Sequence, residues 1–167
     1  MRRLAVVALA LAAWMTWSGV AGAMMIDRTS GGEGVIPRTG LKWWNVVREE
    51  TAKGGVDGCV VWAVMMTESG GNVRARSGWA IGLMQVVSRE AGRWFEDRPA
   101  AAELLQPEVN VRAGIMVLKQ FGLGRDDLRL VLWRYSGGSR WSSWGRFEKV
   151  YWRRFQKFER MCREAGR

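Results

Sequence analysis

Histidine is absent from this sequence, and its absence removes several kinds of active site. A Ser-His-Asp triad and a Cys-His pair both use an imidazole to accept a proton, so neither can operate here. A zinc site is excluded as well, because the chain has no histidine to serve as a ligand, and we expect neither a metal nor a cofactor. Any acid–base chemistry must therefore use another side chain, such as a carboxyl group.

Cysteine is almost absent, since the chain has only Cys59 and Cys162. Outside the cytoplasm a disulfide between them is chemically permitted, and it would tie an early helix to the last one. The alternative is a pair of buried thiols. The sequence alone leaves both arrangements open.

The chain also lacks a long apolar run at its start, where a spanning helix would need about 20 residues. The run Leu4–Trp17 is shorter, follows Arg2 and Arg3, and precedes the small-residue segment Ala21–Ala23. This order of a positive segment, an apolar core and a cleavage site predicts a signal peptide over 1–23. We therefore expect export to the periplasm or cell envelope, with an uncleaved membrane anchor as the alternative.

The composition indicates one folded domain with a basic surface. The 167 residues are 48% hydrophobic, which suffices for one packed core, but the chain is too short for two. We predict a flexible leader over 24–40, rich in glycine and polar residues, and a single domain over 41–167. The net charge of +10 fits an anionic wall polymer, a membrane or a nucleic acid as partner, and equally a surface that is merely soluble.

The pattern of apolar residues within the domain is mostly helical. Three- and four-residue steps run through Leu41–Lys53, whereas Val56–Ser69 is apolar on nearly all sides and predicts a buried central helix. Asp57 is suited to cap that helix and Gly70 to end it. No strand alternation is evident, so the predicted fold class is mostly α. Further helices are predicted over Gln106–Gly122, Arg125–Tyr135 and the basic C-terminal stretch from Trp141.

Glu68 stands at the C-terminal end of the predicted central helix. Burial among apolar residues disfavours an ionised carboxylate and raises its pKa, and the negative end of the helix dipole acts in the same direction. Such a carboxyl keeps its proton near neutral pH and is suited to act as a general acid. The alternative is an exposed glutamate in a frayed last turn.

Several short motifs follow one another in order: ESGGN (Glu68–Asn72), Ser77, GLMQ (Gly82–Gln85), NVRAGIMVL (Asn110–Leu118) and RYSGG (Arg134–Gly138). This series resembles the soluble lytic transglycosylase (SLT) family of lysozyme-like murein enzymes, and the similarity runs from about Leu41 to Phe158. It implies a single helical domain of the lysozyme-like, goose-type fold with a glycan-binding cleft. Two departures from the family pattern are Trp79, where a small residue is usual, and Ser136, which replaces an asparagine.

The resemblance implies roles for individual residues. Glu68 matches the catalytic acid/base, and Ser77 matches the serine that orients the N-acetyl group of the substrate. Tyr135 would lie within reach of Glu68 and help to position it. Trp79 and Trp94 flank the cleft motifs and are suited to stack on sugar rings. The other matches are expected to line or brace the substrate site, with Met84 and Gln85 contacting sugars: Gly82, Leu83, Met84, Gln85 and Asn110.

The resemblance also implies a reaction on the glycan strands of peptidoglycan. Protonated Glu68 would protonate the oxygen between MurNAc and GlcNAc, then take a proton from the C6 hydroxyl of MurNAc, which attacks C1 and leaves a 1,6-anhydro end. We expect a monomer that binds no nucleic acid; whether it also works with a secretion or conjugation apparatus stays open. Two rivals are a lysozyme that uses water and a second acid, and a wall-binding module without catalysis.

Overall fold

The computed structural model describes residues 38–87, 99–137 and 143–165. This part of the chain is mostly helical, as predicted. A π-helical turn, Glu148–Trp152, joins the last two helices, and a short 3-10 helix covers Glu103–Leu105. The α-helices are α1 (Arg38–Leu41), α2 (Trp44–Gly54), α3 (Gly58–Glu68), α4 (Pro107–Gln120), α5 (Leu128–Tyr135), α6 (Trp144–Phe147) and α7 (Arg153–Ala165).

A small antiparallel sheet follows α3. Its middle strand pairs with both neighbours, so that Ser77 lies opposite Ala80 and Ile81 lies opposite Val86. The sequence showed no strand alternation, because two-residue strands are too short to produce an alternating pattern. The strands are β1 (Arg76–Ser77), β2 (Ala80–Ile81) and β3 (Val86–Val87).

Helix α3 forms the centre of the core. Its residues Val60–Thr67 are all buried, as the all-round apolar pattern requires. The carboxylate of Asp57 caps its start by accepting hydrogen bonds from the backbone N–H groups of Cys59 and Val60 at 2.8 and 3.2 Å. Gly70 follows the end of the helix with φ of +63°, a conformation that glycine adopts without strain. Both predicted helix signals are confirmed.

Helix α7 lies along α3, and a covalent link joins them. Cys59 and Cys162 form a disulfide whose Cα atoms are 5.5 Å apart. Beside it, Nη2 of Arg163 lies 3.0 Å from Oδ2 of Asp57. Of the two arrangements that the sequence left open, the disulfide is the one present in the structure.

Helix α1 packs against α3 across the predicted leader boundary. The indole N–H of Trp62 donates to the Gly40 carbonyl oxygen at 3.1 Å. A Cβ atom on Gly40 would come within 2.6 Å of the Trp62 ring, so the close approach needs a glycine. The predicted boundary between residues 40 and 41 thus falls inside a packed helix.

The starts of α4 and α5 follow local signals. Pro107 is the first residue of α4, where its missing N–H costs nothing. The Asp127 carboxylate accepts hydrogen bonds from the N–H groups of Arg129 and Leu130 at 2.9 and 3.3 Å, so α5 begins at Leu128, later than predicted.

Some predictions concern residues that lie outside the described ranges. These are the signal peptide over 1–23, the leader up to residue 37, and Trp94. Across 38–87, 99–137 and 143–165, no helix is both long enough and apolar enough to cross a bilayer.

Candidate active site

Glu68 is the last residue of α3, and its carboxyl group is in a desolvated environment. The residue keeps some solvent-accessible surface, but the surrounding protein is dense enough to exclude most water from the carboxyl. Burial raises its pKa from an ordinary 4.5 to about 7, while a hydrogen bond from Tyr151 and the charge of Arg154 oppose the rise without cancelling it. The carboxyl is therefore about half-protonated at pH 7.

The hydrogen bond to Glu68 comes from Tyr151, whose hydroxyl donates to Oε1 at 2.6 Å. Tyr151 is buried in the π-helical turn and stacks on Phe147, with ring centroids 5.6 Å apart. Burial raises the pKa of this phenol well above 10, and the charge of Glu68 acts in the same direction. The hydroxyl consequently stays protonated and remains a donor. A π turn rotates the side chains that follow it around the helix axis, and such turns are often found at functional sites.

Arg154 is the positive charge that acts on Glu68 from α7. It is half-buried, and its guanidinium donates to the carbonyl oxygen of Met66 at 3.4 Å, two residues before Glu68. Burial lowers the pKa of Arg154, while the charges of Glu68 and Tyr151 partly oppose this. In the part of the chain that the structure describes, the groups acting on the pKa of Glu68 are Tyr151 and Arg154, and no carboxylate is among them.

Tyr135, the residue expected to position Glu68, lies close enough for the charge of Glu68 to affect it. Burial raises its pKa well above 10, and Glu68 adds to the rise. Its hydroxyl donates to the Met84 carbonyl oxygen at 2.8 Å. In this structure Tyr135 therefore braces the turn that contains Met84, and the direct hydrogen bond to Glu68 is made by Tyr151.

Asn110 holds the GLMQ segment in place from the first turn of α4. It is fully buried, and its Oδ1 accepts a hydrogen bond from the Met84 N–H at 2.7 Å. Its Nδ2 donates to the carbonyl oxygens of Ile81 and Leu104 at 2.9 and 2.7 Å. These contacts satisfy both amide hydrogens inside the protein. They indicate a bracing role for Asn110 and no direct contact with sugar.

Gly82 begins the GLMQ segment and requires the absence of a side chain. Its φ is +78°, and a Cβ atom there would lie 2.5 Å from the Leu104 carbonyl oxygen and would also clash with the Asn110 amide. Its N–H donates to the Ala75 carbonyl oxygen at 2.8 Å, which closes the loop around the small sheet.

The other residues of the GLMQ segment differ in exposure. Leu83 and Met84 are completely buried, and Met84 packs on Gly114 of α4, so in this conformation both side chains belong to the core. Gln85 is half-buried, and its φ of +50° is unusual for a residue with a side chain. Its amide stabilises this conformation by donating to the carbonyl oxygens of Ala75 and Gly82 at 3.1 and 2.9 Å.

The hairpin between β1 and β2 carries the remaining predicted contacts. Ser77 is half-buried at the end of β1. Trp79 lies in the two-residue turn that follows, and 66% of its surface is exposed. Such an exposed indole is available to stack on a flat apolar face. Within the described ranges, no three carboxylate or sulfur groups lie close enough together to hold a metal ion.

Sequence reasoning missed Tyr151. A usable signal was present, because the chain has only two tyrosines, Tyr135 and Tyr151, and both act near Glu68. The π turn that directs Tyr151 toward the carboxyl leaves no mark in the apolar pattern, so the pattern alone did not identify the residue.

Comparison with known proteins gives one family. The model of the transglycosylase SLT domain matches residues 45–157. A transglycosylase of Enterobacteria phage PRD1 is 31% identical over 118 residues, which are 66% of this chain and 40% of the phage protein. Membrane-bound lytic murein transglycosylases C from Yersinia enterocolitica and Serratia proteamaculans are 38% and 39% identical over 84 residues, 46% of this chain and 24% of each relative.

This chain spans less than half the length of those relatives. The family match, in contrast, covers more than half of the chain and includes Glu68, the GLMQ segment, Asn110 and Tyr151. Helical content, motif order and family model agree, and the chain belongs to the SLT domain family of transglycosylases.

Proposed function

We propose that the protein is a murein lytic transglycosylase that cleaves the bond between MurNAc and GlcNAc without water and leaves 1,6-anhydroMurNAc ends. The observation that carries this proposal is the setting of Glu68, a desolvated carboxyl with a pKa of about 7 that receives a hydrogen bond from Tyr151. Family membership and the names of the relatives support the same class of reaction.

The first step of the proposed reaction is protonation of the leaving oxygen. Because the Tyr151 hydroxyl donates to Oε1, the acidic proton of Glu68 is expected on Oε2. Transfer of that proton to the glycosidic oxygen breaks the bond at C1 and produces an oxocarbenium-like state, which the N-acetyl carbonyl of the substrate stabilises. A pKa near the working pH suits both loss and recovery of the proton.

In the second step Glu68 acts as a base. Between the two proton transfers its carboxylate is stabilised by the Tyr151 hydrogen bond and the charge of Arg154. It then accepts the proton of the MurNAc C6 hydroxyl as that oxygen attacks C1, which restores the acid and closes the anhydro ring. The cycle needs one carboxyl, in agreement with the groups that act on Glu68 in the described part of the chain.

The remaining site residues have one of two proposed roles. Ser77, Gln85 and Trp79 retain accessible surface and are proposed to contact the glycan, with Trp79 stacking on a sugar ring. Five residues are proposed to fix the shape of the substrate site, four because they are buried and Tyr135 because its hydroxyl donates to the Met84 carbonyl oxygen: Gly82, Leu83, Met84, Asn110 and Tyr135.

We also propose that the protein works as a monomer outside the cytoplasm, in the periplasm or cell envelope, on the glycan strands of peptidoglycan. The disulfide between Cys59 and Cys162 supports this location, because such bonds persist in oxidising compartments. The predicted signal peptide over 1–23 agrees with the same route.

Product chemistry tests the reaction. Purified peptidoglycan is digested with the protein, and the released fragments are identified by mass spectrometry. We expect MurNAc ends that are lighter by one water than reducing ends. Reducing ends would show a hydrolytic lysozyme instead, and binding without any released fragment would show a non-catalytic wall-binding module.

Replacing Tyr151 with phenylalanine should move the pH profile. The hydrogen bond from Tyr151 lowers the pKa of Glu68, so its loss raises that pKa and shifts the alkaline limb of kcat to higher pH. We expect kcat near pH 6 to fall about tenfold, because the carboxyl is less well positioned. Fragment release measured from pH 5 to 9 tests both effects.

Tyr135→Phe is the matched control for this measurement. It removes a phenolic hydroxyl that donates to the Met84 carbonyl oxygen. We expect lower thermal stability and an alkaline limb in the same place as in the parent protein. A shifted limb in Tyr135→Phe together with an unshifted limb in Tyr151→Phe would contradict the assignment of Tyr151 as the positioning residue.

A further inference from the structure

The last helical stretch presents a row of positive charges to solvent. Four exposed cations recur at steps of four, four and three residues, spacings that place side chains on one face of a helix. The opposite face carries Phe155 and Cys162, which are buried. We call these four the cationic row: Lys149, Arg153, Lys157 and Arg160.

Two of the three acidic residues near the cationic row pair with cations outside it. Glu148 lies 2.9 Å from Arg129 of α5, and Glu159 lies 2.8 Å from Arg163. Glu164 is the acid that shares the exposed face, at its far end. Within residues 38–87, 99–137 and 143–165, none of the recorded ion pairs or side-chain hydrogen bonds involves the row. Its charge is therefore directed at solvent.

The cationic row is held on a fixed support. The Cys59–Cys162 disulfide and the buried face of α7 secure the helix against α3. Charges fixed in this way lose less conformational freedom on binding than charges on a mobile tail. The fixed, regularly spaced cations of the row therefore suit a long polymer that carries negative charges at repeated intervals.

The position of the cationic row relates it to the catalytic site. Lys149 lies in the same π-helical turn as Tyr151, which contacts Glu68. From Lys149 the row extends along the helix for about 16 Å, at 1.5 Å per residue. Because Tyr151 is buried toward Glu68 and Lys149 is exposed, the row lies on the outer face of this segment, about one helix diameter (about 10–12 Å) from the site. A polymer bound to the row would therefore lie next to the segment that carries Tyr151.

We propose that the cationic row binds the free carboxylates on the peptide stems of peptidoglycan and retains the polymer beside the catalytic site. This inference rests on the proposed function, which supplies the polymer. Guanidinium and ammonium groups pair well with carboxylates. A membrane surface fits less well, because the apolar face of α7 is packed in the core and the exposed face interleaves the cations with the polar side chain of Gln156.

Two triple variants with the same change in charge test the proposal. Both are made in the inactive Glu68→Gln protein, so that binding is measured without cleavage. The row variant carries Arg153→Gln, Lys157→Gln and Arg160→Gln. The control variant neutralises three exposed cations elsewhere: Arg48→Gln, Lys119→Gln and Arg125→Gln.

Cosedimentation with insoluble peptidoglycan is the measurement. We expect about tenfold weaker binding and a flatter salt dependence for the row variant, and less than a twofold change for the control. Peptidoglycan whose carboxylates have been converted to amides should bind the row variant and its Glu68→Gln parent equally. Thermal melts establish that both triple variants fold.

Three outcomes would overturn the proposal. One is an equal loss of binding in both triple variants, which shows an effect of total charge alone. The second is unchanged peptidoglycan binding by the row variant while its binding to phosphatidylglycerol vesicles or DNA falls. The third is an undiminished effect of the row on amidated peptidoglycan. A further outcome separates this inference from the proposed reaction. If binding depends on the row but the protein with Glu68 intact releases no anhydro products, the proposed reaction is rejected and this inference is kept.

Discussion

Replacing Glu68 with glutamine should abolish peptidoglycan cleavage, with kcat falling by a factor of about 10³ or more. Glutamine has nearly the same size, and its amide oxygen still accepts the Tyr151 hydrogen bond, so the geometry is preserved. It has no proton to give to the leaving oxygen and cannot act as a base afterwards. Release of soluble fragments from peptidoglycan measures the loss.

The same substitution should make the folded protein more stable at alkaline pH. Below about pH 4.5 Glu68 is protonated in both the folded and the unfolded chain, so its titration favours neither state. Between pH 4.5 and about 7 the unfolded chain releases the proton and the folded protein keeps it, so stability falls as the pH rises. Above about pH 7 the folded protein carries a desolvated carboxylate, and the accumulated cost is about 3 kcal/mol.

Glutamine avoids this cost because it does not ionise. The free energy of unfolding of Glu68→Gln should equal that of the parent near pH 4 and exceed it by about 2–3 kcal/mol at pH 8.5. Urea titrations across this pH range measure the difference. The control Glu164→Gln changes an exposed carboxyl away from the site and should keep cleavage.

Two results would contradict this account of Glu68. The first is substantial cleavage by Glu68→Gln, which would place the acid elsewhere in the chain. The second is a stability difference that does not grow with pH, which would mean that the carboxyl is solvated and ionises at an ordinary pKa. A loss of activity without the stability gain would mean that Glu68 is necessary for cleavage but that burial does not raise its pKa.

The helical frame was predictable because its signals are local. The central helix is recognisable from an unbroken apolar run, and its ends from Asp57 and Gly70, whose roles depend on neighbours within a few residues. The motif series from Glu68 to Tyr135 resembles the SLT family by residue type and order alone, and the family model agrees.

The contacts within the site were less predictable because they join distant parts of the chain. Glu68 and Tyr151 are 83 residues apart, and Met84 and Asn110 are 26 apart. Neither pair shows in a periodic pattern. The burial of Met84 likewise depends on the Gly114 surface of α4, so a side chain expected to contact sugar lies in the core.

The hydrogen bond of Tyr135 was also not predictable from its place in a motif. The family resemblance predicted a position near Glu68, and the charge of Glu68 does affect Tyr135. Its hydroxyl nevertheless bonds to the Met84 carbonyl oxygen, since that oxygen is presented by the turn that Asn110 and Gly82 shape. Which hydrogen bond a residue makes was decided by tertiary contacts rather than by its place in a motif.

Removing the disulfide should cost the folded protein about 4 kcal/mol and lower its melting temperature by about 10–15 °C. The expected loss is large because Cys59 and Cys162 are 103 residues apart, and the bond restricts most of the domain in the unfolded state. The neighbouring Asp57–Arg163 pair cannot compensate, since an exposed ion pair contributes less than about 1 kcal/mol. Thermal melts of a Cys59→Ala, Cys162→Ala variant measure the effect.

A reductant provides the control for this prediction. It should lower the melting temperature of the parent protein to near that of the double variant and leave the variant unchanged, because the variant has no disulfide to reduce. A parent protein that melts at the same temperature with and without reductant would contradict the prediction. Glu68 and Tyr151 lie near the end of the α3–α7 pair that is away from the disulfide. The variant should therefore remain active at low temperature and lose activity as its fold melts.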